Sequence, residues 1–111
     1  MICERHDVVV VPFPFSDRAA AKRRPALVLS GRRFNREGHT VMAMVTTKKV
    51  PPWPADTPLA NFQSAGLKVS CLVRFKIFTL DNRLILNKIG RLSEMDAEKV
   101  AVRIQDVLCD D

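Results

Sequence analysis

Arg24 and Thr46 are the residues of this 111-residue chain whose types and settings best fit phosphate chemistry. Arg24 stands directly before Pro25, and a residue before proline is biased towards extended backbone, here at the start of an apolar segment. A guanidinium presents a planar fork to phosphate oxygens and stays charged when water is removed. A threonine hydroxyl can donate a hydrogen bond to the same oxygens.

These residue types point to a site that stabilises charge rather than one that removes a proton. Arginine is a poor base because its side-chain pKa exceeds about 12. RNA carries its own nucleophile, the 2′-hydroxyl, so the site would need only to orient that oxygen and neutralise the developing phosphorane. The structural alternatives are an arginine held in an ion pair and an ordinary β-strand threonine.

Short apolar, β-branched runs must position these side chains, and they predict five strands. The predicted strands cover residues 8–13, 25–29, 40–46, 70–80 and 84–92. If the strands at 25–29 and 40–46 are antiparallel neighbours, the start of one and the end of the other lie at the same edge of the sheet. Arg24 and Thr46 would then face a common groove.

The last element predicted is an amphipathic helix that packs on the sheet. Ser93 and Asp96 have the spacing of a capping box. The apolar residues that follow recur at spacings of three and four: Ala97, Val100, Ala101, Ile104, Val107 and Leu108. With short strands and seven prolines, the chain is predicted to be mainly β (α+β), with one domain over residues 1–111.

Three segments are predicted to be loops, at residues 16–23, 31–38 and 48–57. Trp53 lies in the third, between Pro52 and Pro54, and two interpretations stay open. It is either a lid on the core or a platform on which a nucleic-acid base stacks.

The positive charge of the chain is concentrated in one region. The net charge is +6, yet residues 18–49 carry nine basic side chains and one acidic, a local charge of +8. Such a patch is typical of a nucleic-acid surface, and the bland alternative is a solvated basic face. Charge alone does not separate RNA from DNA or from an acidic protein.

The residue types that bind metals or nucleotides lack the necessary spacing. Cys3, Cys71 and Cys109 form no CxxC pair, and His6 and His39 have no ligand spacing to them. Both histidines are more commonly explained as polar residues on the surface, and the alternative is a histidine that acts as a general base. No phosphate-binding glycine motif is present, so we expect neither a cofactor nor a metal. No segment approaches the roughly 18 apolar residues of a membrane span, and we expect a cytoplasmic protein.

Several motifs, in this order and spacing, resemble the MazF/PemK family of toxin endoribonucleases. They extend from about residue 7 to residue 108 and read DVVVVPFPFSD, KRRPALVLS, VMAMVTT, SAGLKVSCLVRFKIFTLD and NKIGRLSEMD. The resemblance implies an SH3-like barrel of the MazF/CcdB type with a C-terminal amphipathic helix. It also implies a homodimer that cuts single-stranded RNA, including mRNA, without a metal and leaves 2′,3′-cyclic phosphate and 5′-hydroxyl ends. The implied partners are that RNA and a cognate antitoxin.

Carried over by position, the family's catalytic residues fall on Arg24 and Thr46, and its mobile loop falls on residues 16–23. The residues predicted to contact RNA are Ser16, Arg18, Lys22, Arg23, Thr47 and Lys48. The chain departs from the family at His6, where a glycine usually precedes the aspartate.

Two other functions stay open at this point. One is an SH3-like module that binds nucleic acid without chemistry, and the other is a gyrase poison like CcdB. The second is disfavoured because the chain ends in Leu108, Cys109 and two aspartates, without an aromatic residue.

Overall fold

The computed structural model describes residues 1–13 and 22–109. Their strands are β1 (Asp7–Phe13), β2 (Lys22–Val28), β3 (His39–Thr47), β4 (Thr57–Pro58), β5 (Cys71–Asp81) and β6 (Asn87–Arg91). All the pairings among them are antiparallel, in the order β4-β5-β3-β2-β1-β6, and the sheet curls into a half-barrel. The helices are α1 (Arg32–Asn35) and α2 (Glu94–Leu108). The prediction of a mainly β, barrel-like fold with a C-terminal helix is confirmed.

The sheet is covered on both faces because alternate residues of its central strands enter different clusters of buried side chains. Leu27 and Ala43 belong to one cluster, against which Ala97 and Ile104 of α2 pack. Ala26, Val28 and Met42 belong to the other. The central strands β2 and β3 therefore cannot shift register without exposing apolar side chains.

The second strand starts earlier than predicted, at Lys22 rather than at Pro25. Lys22, Arg23 and Arg24 pair with Phe13, Pro12 and Val11 of β1. The three basic residues form a strand because they pair with β1, although their polar character had suggested a loop. The predicted loop was therefore too long at its C-terminal end. The rest of that loop lies outside the described residues.

Two local predictions were wrong because tertiary contacts decide the structure. The polar connection at 31–38 contains α1, whose buried Asn35 donates to the carbonyl oxygen of Cys3 at 2.8 Å. The strand predicted from residue 84 begins only at Asn87, because a 3₁₀ turn at Asn82–Leu84 comes first. Asp81 caps that turn by accepting from the backbone amide of Arg83.

The helix α2 starts as predicted but forms half of the capping box. The Ser93 hydroxyl accepts from the amide of Asp96 at 3.2 Å. The Asp96 carboxylate instead accepts from the amides of Ala60 and Asn61, at 2.9 and 2.8 Å, and fastens the helix to that loop. At the far end of the helix, the predicted packing positions Ala101, Val107 and Leu108 are exposed. No helix in residues 1–13 and 22–109 has the length and apolar character needed to span a bilayer.

Candidate active site

The pairing of β2 with β3 brings Arg24 and Thr46 together. Ala26 pairs with Met44 and Val28 with Met42. The same register, continued towards the start of β2, sets Arg24 opposite Thr46. Directly opposed residues of an antiparallel pair lie on one face of the sheet, with Cα atoms roughly 4.5–5.5 Å apart.

Pro25 explains why the sheet opens at this point. Along β2, the pairing with β3 begins only at Ala26, the residue that follows the proline. Proline has no amide hydrogen with which to continue the ladder. In the ladder between β1 and β2, Pro25 pairs with Val10 and Pro12 pairs with Arg23. These two pairs are two residues apart, so both prolines can occupy positions at which this ladder needs no amide hydrogen bond. The Arg-Pro sequence therefore keeps Arg24 in a strand while it opens the sheet beside Thr46.

A cavity of about 490 Å³ occupies this opening. Arg24, Thr46 and Thr47 line it, and its walls also include Phe13, Met44, Val45, Val50, Leu67, Val69 and Cys71. Burial raises the pKa of the Cys71 thiol, which favours the protonated form over the nucleophilic thiolate. The cavity thus combines a guanidinium and two hydroxyl groups with largely apolar walls.

A second cavity, of about 450 Å³, adjoins the first and shares the side chains of Arg24 and Lys68 with it. Arg23 and Asn87 also line this second cavity. None of the ion pairs recorded among the described residues involves Arg23, Arg24 or Lys68. The three cations are therefore not neutralised by a carboxylate of the described chain, and the paired cavities form a basic groove.

Glycine at two positions brings Lys68 to this groove. Gly66 has a φ of +77°, and a Cβ there would lie 2.0 Å from the carbonyl oxygen of Ile89. A Cβ on Gly90 would lie 2.3 Å from the carbonyl carbon of Ala65. The turn before Lys68 can pack this closely on β6 only because both residues lack a side chain.

The structure brings most of the described predicted site residues to the groove. Arg24, Thr46 and Thr47 line the first cavity, and Arg23 lines the second. Lys22 and Lys48 are exposed next to them in the chain and line neither cavity. Ser16 and Arg18 lie outside the described residues. The catalytic and RNA-binding roles of all these residues remain predictions.

The sequence analysis missed Lys68, which lines both cavities. Its signal is Gly66 in the motif SAGLKVSCLVRFKIFTLD, which indicates a turn shortly before the lysine. A second missed feature is Asp56, whose carboxylate binds Arg74 at 2.8 Å and braces the loop that starts at the first cavity.

Comparison with known proteins identifies relatives of this architecture. The protein MazF of Deinococcus radiodurans, in a MazE–MazF crystal structure, is 19% identical with a TM-score of 0.76, and the alignment covers 100% of both chains. Toxin MazF-mt6 of Mycobacterium tuberculosis is 19% identical with a TM-score of 0.74, over 95% of this chain and 98% of that one. A mycobacterial endoribonuclease, in complex with its cognate antitoxin, is 16% identical with a TM-score of 0.72, over 97% and 94%. At these identities the likeness establishes the fold.

The sequence itself provides the assignment to a family. No curated protein sequence gives a significant match. The family model described as PemK-like, MazF-like toxin of type II toxin-antitoxin system matches residues 4–108, which include every described element of the structure. The chain therefore belongs to the PemK-like, MazF-like toxins of type II toxin–antitoxin systems.

Proposed function

We propose that this toxin is an endoribonuclease that cuts single-stranded RNA at the Arg24–Thr46 groove. One observation carries the proposal: an arginine and a threonine from opposed strands line one cavity, and no recorded carboxylate partner neutralises the arginine within the described chain. Membership of the toxin family and the fold shared with a mycobacterial endoribonuclease support it.

The reaction needs the RNA itself as nucleophile. The 2′-oxygen attacks the adjacent phosphorus and gives its proton to solvent water, the bond from phosphorus to the 5′-oxygen breaks, and that oxygen takes up a proton from solvent water. The products are a 2′,3′-cyclic phosphate and a 5′-hydroxyl. Arg24 neutralises the charge that develops on the phosphorane oxygens, and the Thr46 hydroxyl donates a hydrogen bond to one of them. Because cationic side chains supply this stabilisation, we propose that cleavage does not require a metal ion.

The surroundings of the pair fit a polyanionic strand. Arg23 and Lys68 extend the positive charge into the second cavity, where the neighbouring phosphates of the RNA would lie. We propose that a cognate antitoxin inhibits the toxin, as the MazE–MazF and endoribonuclease–antitoxin complexes of its structural relatives suggest. We also propose that the toxin is a homodimer, which the family resemblance of the sequence implies. Because mRNA is the proposed substrate, we propose that the toxin acts in the cytoplasm.

The first prediction concerns the catalytic pair and is tested with purified protein, mixed-sequence RNA and EDTA. The wild-type protein should cut and leave cyclic phosphate ends. Arg24→Ala should lower the cleavage rate by at least about 100- to 1000-fold, and Thr46→Val, which removes only the hydroxyl, by about 100-fold. Arg33→Ala is the matched control, because Arg33 is an exposed arginine of α1, next to the end of β2 and the start of β3, and lines neither cavity.

Circular dichroism establishes that each variant is folded. Cleavage by Arg24→Ala at the wild-type rate would show that the assigned role is wrong. A wild-type protein that binds RNA and does not cut it would instead be a non-catalytic binding module. Inhibition of gyrase supercoiling without RNA cleavage would favour the gyrase-poison alternative.

A further inference from the structure

Trp53 is a large aromatic side chain that does not pack in the core. It is 42% exposed and belongs to neither cluster of buried side chains. The interpretation as a lid on the core is therefore wrong. It is also the only tryptophan of a chain without tyrosine, so its fluorescence reports on this position alone.

Hydrogen bonds from Arg74 and to Asp56 hold the loop that carries Trp53 in place. Arg74 binds both carboxylate oxygens of Asp56, at 3.1 and 2.8 Å, and donates to the carbonyl oxygen of Pro51 at 2.6 Å. The backbone amide of Trp53 donates to Asp56 at 2.9 Å. The hydrogen bonds from Arg74 keep the pKa of Asp56 below its ordinary value, so these bonds persist at neutral pH. An exposed ring on a braced, proline-rich loop loses little entropy when it binds a ligand.

A cation lies against the ring. The Lys76 ammonium is 4.5 Å from the centroid of the Trp53 ring, within cation–π distance. Phe75 packs into the core on one face of β5, and Arg74 and Lys76 lie on the other face. That other face is the one that carries Met44 and, by the same pairing, Thr46.

The same segment connects Trp53 to the candidate active site. Thr47 and Val50 line the first cavity, and the chain reaches Trp53 three residues later. On β5, Leu72 pairs with Thr46 and Lys76 lies four residues further on. At about 3.3 Å per residue, this separation is roughly 13 Å along the strand. A short single-stranded oligonucleotide spans this distance.

We propose that Trp53 stacks on a base of the bound RNA strand, beside the nucleotides that Arg24 and Thr46 hold, and that Lys76 binds a phosphate of the same strand. This inference rests on the proposed function, because it assigns a base-binding position to the same groove. The ring provides a flat face that accepts any base, and the ammonium provides the charge that the backbone of that nucleotide needs.

The test uses a mixed-sequence oligonucleotide in which every 2′-hydroxyl is replaced by fluorine, so that binding is observed without turnover whether or not the cleavage site is known. Titration should change the tryptophan fluorescence in a saturable way. Trp53→Ala should weaken the affinity by about 5- to 150-fold, and Trp53→Phe, which keeps a ring, should weaken it less. Phe34→Ala is the matched control, since Phe34 is 50% exposed on α1 and lines neither cavity; it should bind like the wild type.

A series of oligonucleotides, each with one abasic position, locates the stacked base. At one position the missing base should weaken binding to the wild type and leave binding to Trp53→Ala unchanged, because that variant has already lost the contact. Equal losses for both proteins at every position would overturn the proposal. So would an unchanged fluorescence, or a Trp53→Ala variant that loses affinity for the antitoxin alone.

The experiments distinguish a failure of the stacking proposal from a failure of the proposed cleavage activity. A wild-type protein that cuts RNA while Trp53→Ala binds and cuts equally well would overturn the stacking proposal and leave the nuclease intact. A wild-type protein that never cuts RNA, but shows the fluorescence change and the abasic pattern, would support stacking and remove the catalytic assignment.

Discussion

Arg24 is held in place by backbone pairing, whereas other arginines of this chain are held by acids. Arg74, Arg83, Arg91 and Arg103 each lie against a carboxylate. Arg24 has no such recorded partner within the described residues, and it is fixed because its backbone pairs with Val11 of β1. A guanidinium positioned by its strand keeps its donors available for a ligand, whereas one in an ion pair must first exchange partners.

His6 stands where the family resemblance predicts a glycine, and its backbone is strained. Its φ is +76°, in the left-handed region that costs a residue with a Cβ roughly 1–2 kcal/mol relative to glycine. We predict that His6→Gly stabilises the protein by about 0.5–1 kcal/mol, because the greater flexibility of the unfolded glycine chain offsets part of the relief. Urea or thermal unfolding at neutral pH measures the change.

His6→Ala is the control for this prediction, since alanine removes the imidazole and retains the Cβ. It should be no more stable than the wild type. If both variants destabilise the protein equally, the contacts of the imidazole outweigh the backbone strain and the prediction is wrong.

At the scale of elements, the carboxylate of Asp96 joins α2 to the loop at 60–61. The side chain is fully buried, and burial alone would raise its pKa, yet hydrogen bonds from the amides of Ala60 and Asn61 and from Lys99 lower the pKa below its ordinary value. A group with a depressed folded pKa stabilises the protein above its unfolded pKa of about 3.9, and this contribution disappears as the pH falls through the folded pKa.

We therefore predict that Asp96→Asn costs about 1.5–3 kcal/mol of unfolding free energy at pH 7. The difference from the wild type should begin to shrink below about pH 4, where the carboxylate of the unfolded chain takes up a proton, and should disappear once the pH has fallen below the lower pKa of the folded state. Urea unfolding at pH 7 and pH 3 measures both values. Asp106→Asn, which changes an exposed carboxylate of the same helix, should have little effect at either pH. A cost that does not vary with pH would show that the shape of the side chain matters and its charge does not.

The elements that were predicted well are those whose local pattern agrees with their packing. The apolar runs of β1, β3 and β5 and the periodicity of α2 gave bounds close to the observed ones because each buries the side that its pattern indicates. The helix α1 could not be predicted, since Asn35 is stabilised by the Cys3 carbonyl from a distant part of the chain. The exposure of Ala101 and Leu108 was missed because these residues line an open cavity with Leu29 and Val41, and the periodicity of the helix does not show whether the space beside it is filled.

Prediction of the site divides in the same way. The groove between Arg24 and Thr46 follows from antiparallel neighbours and from Pro25, which can be identified in the sequence. Lys68 was missed because its place depends on the close approach of Gly66 to β6. The glycine indicates a turn, but the sequence does not show that this turn packs on β6.

At the scale of the whole molecule, the positive charge of residues 22–49 divides between two regions. Arg23, Arg24 and the exposed lysines after Thr47 lie at or beside the groove. The arginines of α1 adjoin the end of β2 and the start of β3. The charge of the groove is therefore smaller than the +8 of residues 18–49. Lys68, which lies outside that range, adds one positive charge to the groove.

The salt dependence of RNA binding measures how many of these cations contact phosphates. For single strands, the logarithm of affinity falls against the logarithm of salt with a slope of about −0.7 for each phosphate neutralised. We predict that Lys68→Gln reduces the magnitude of this slope by about 0.7, whereas Arg33→Gln leaves it unchanged. Trp53→Ala should lower the affinity at every salt concentration without altering the slope, because stacking releases no counterions.

These three variants together distinguish a groove from a basic surface. Equal changes of slope for Lys68→Gln and Arg33→Gln would mean that RNA binds by charge over the whole molecule, and the groove would lose its role. A reduced slope for Lys68→Gln, with a parallel shift for Trp53→Ala, requires a strand that passes both residues in one register. Only a strand held in that way places a single phosphodiester between Arg24 and Thr46, which cleavage at defined sequences needs.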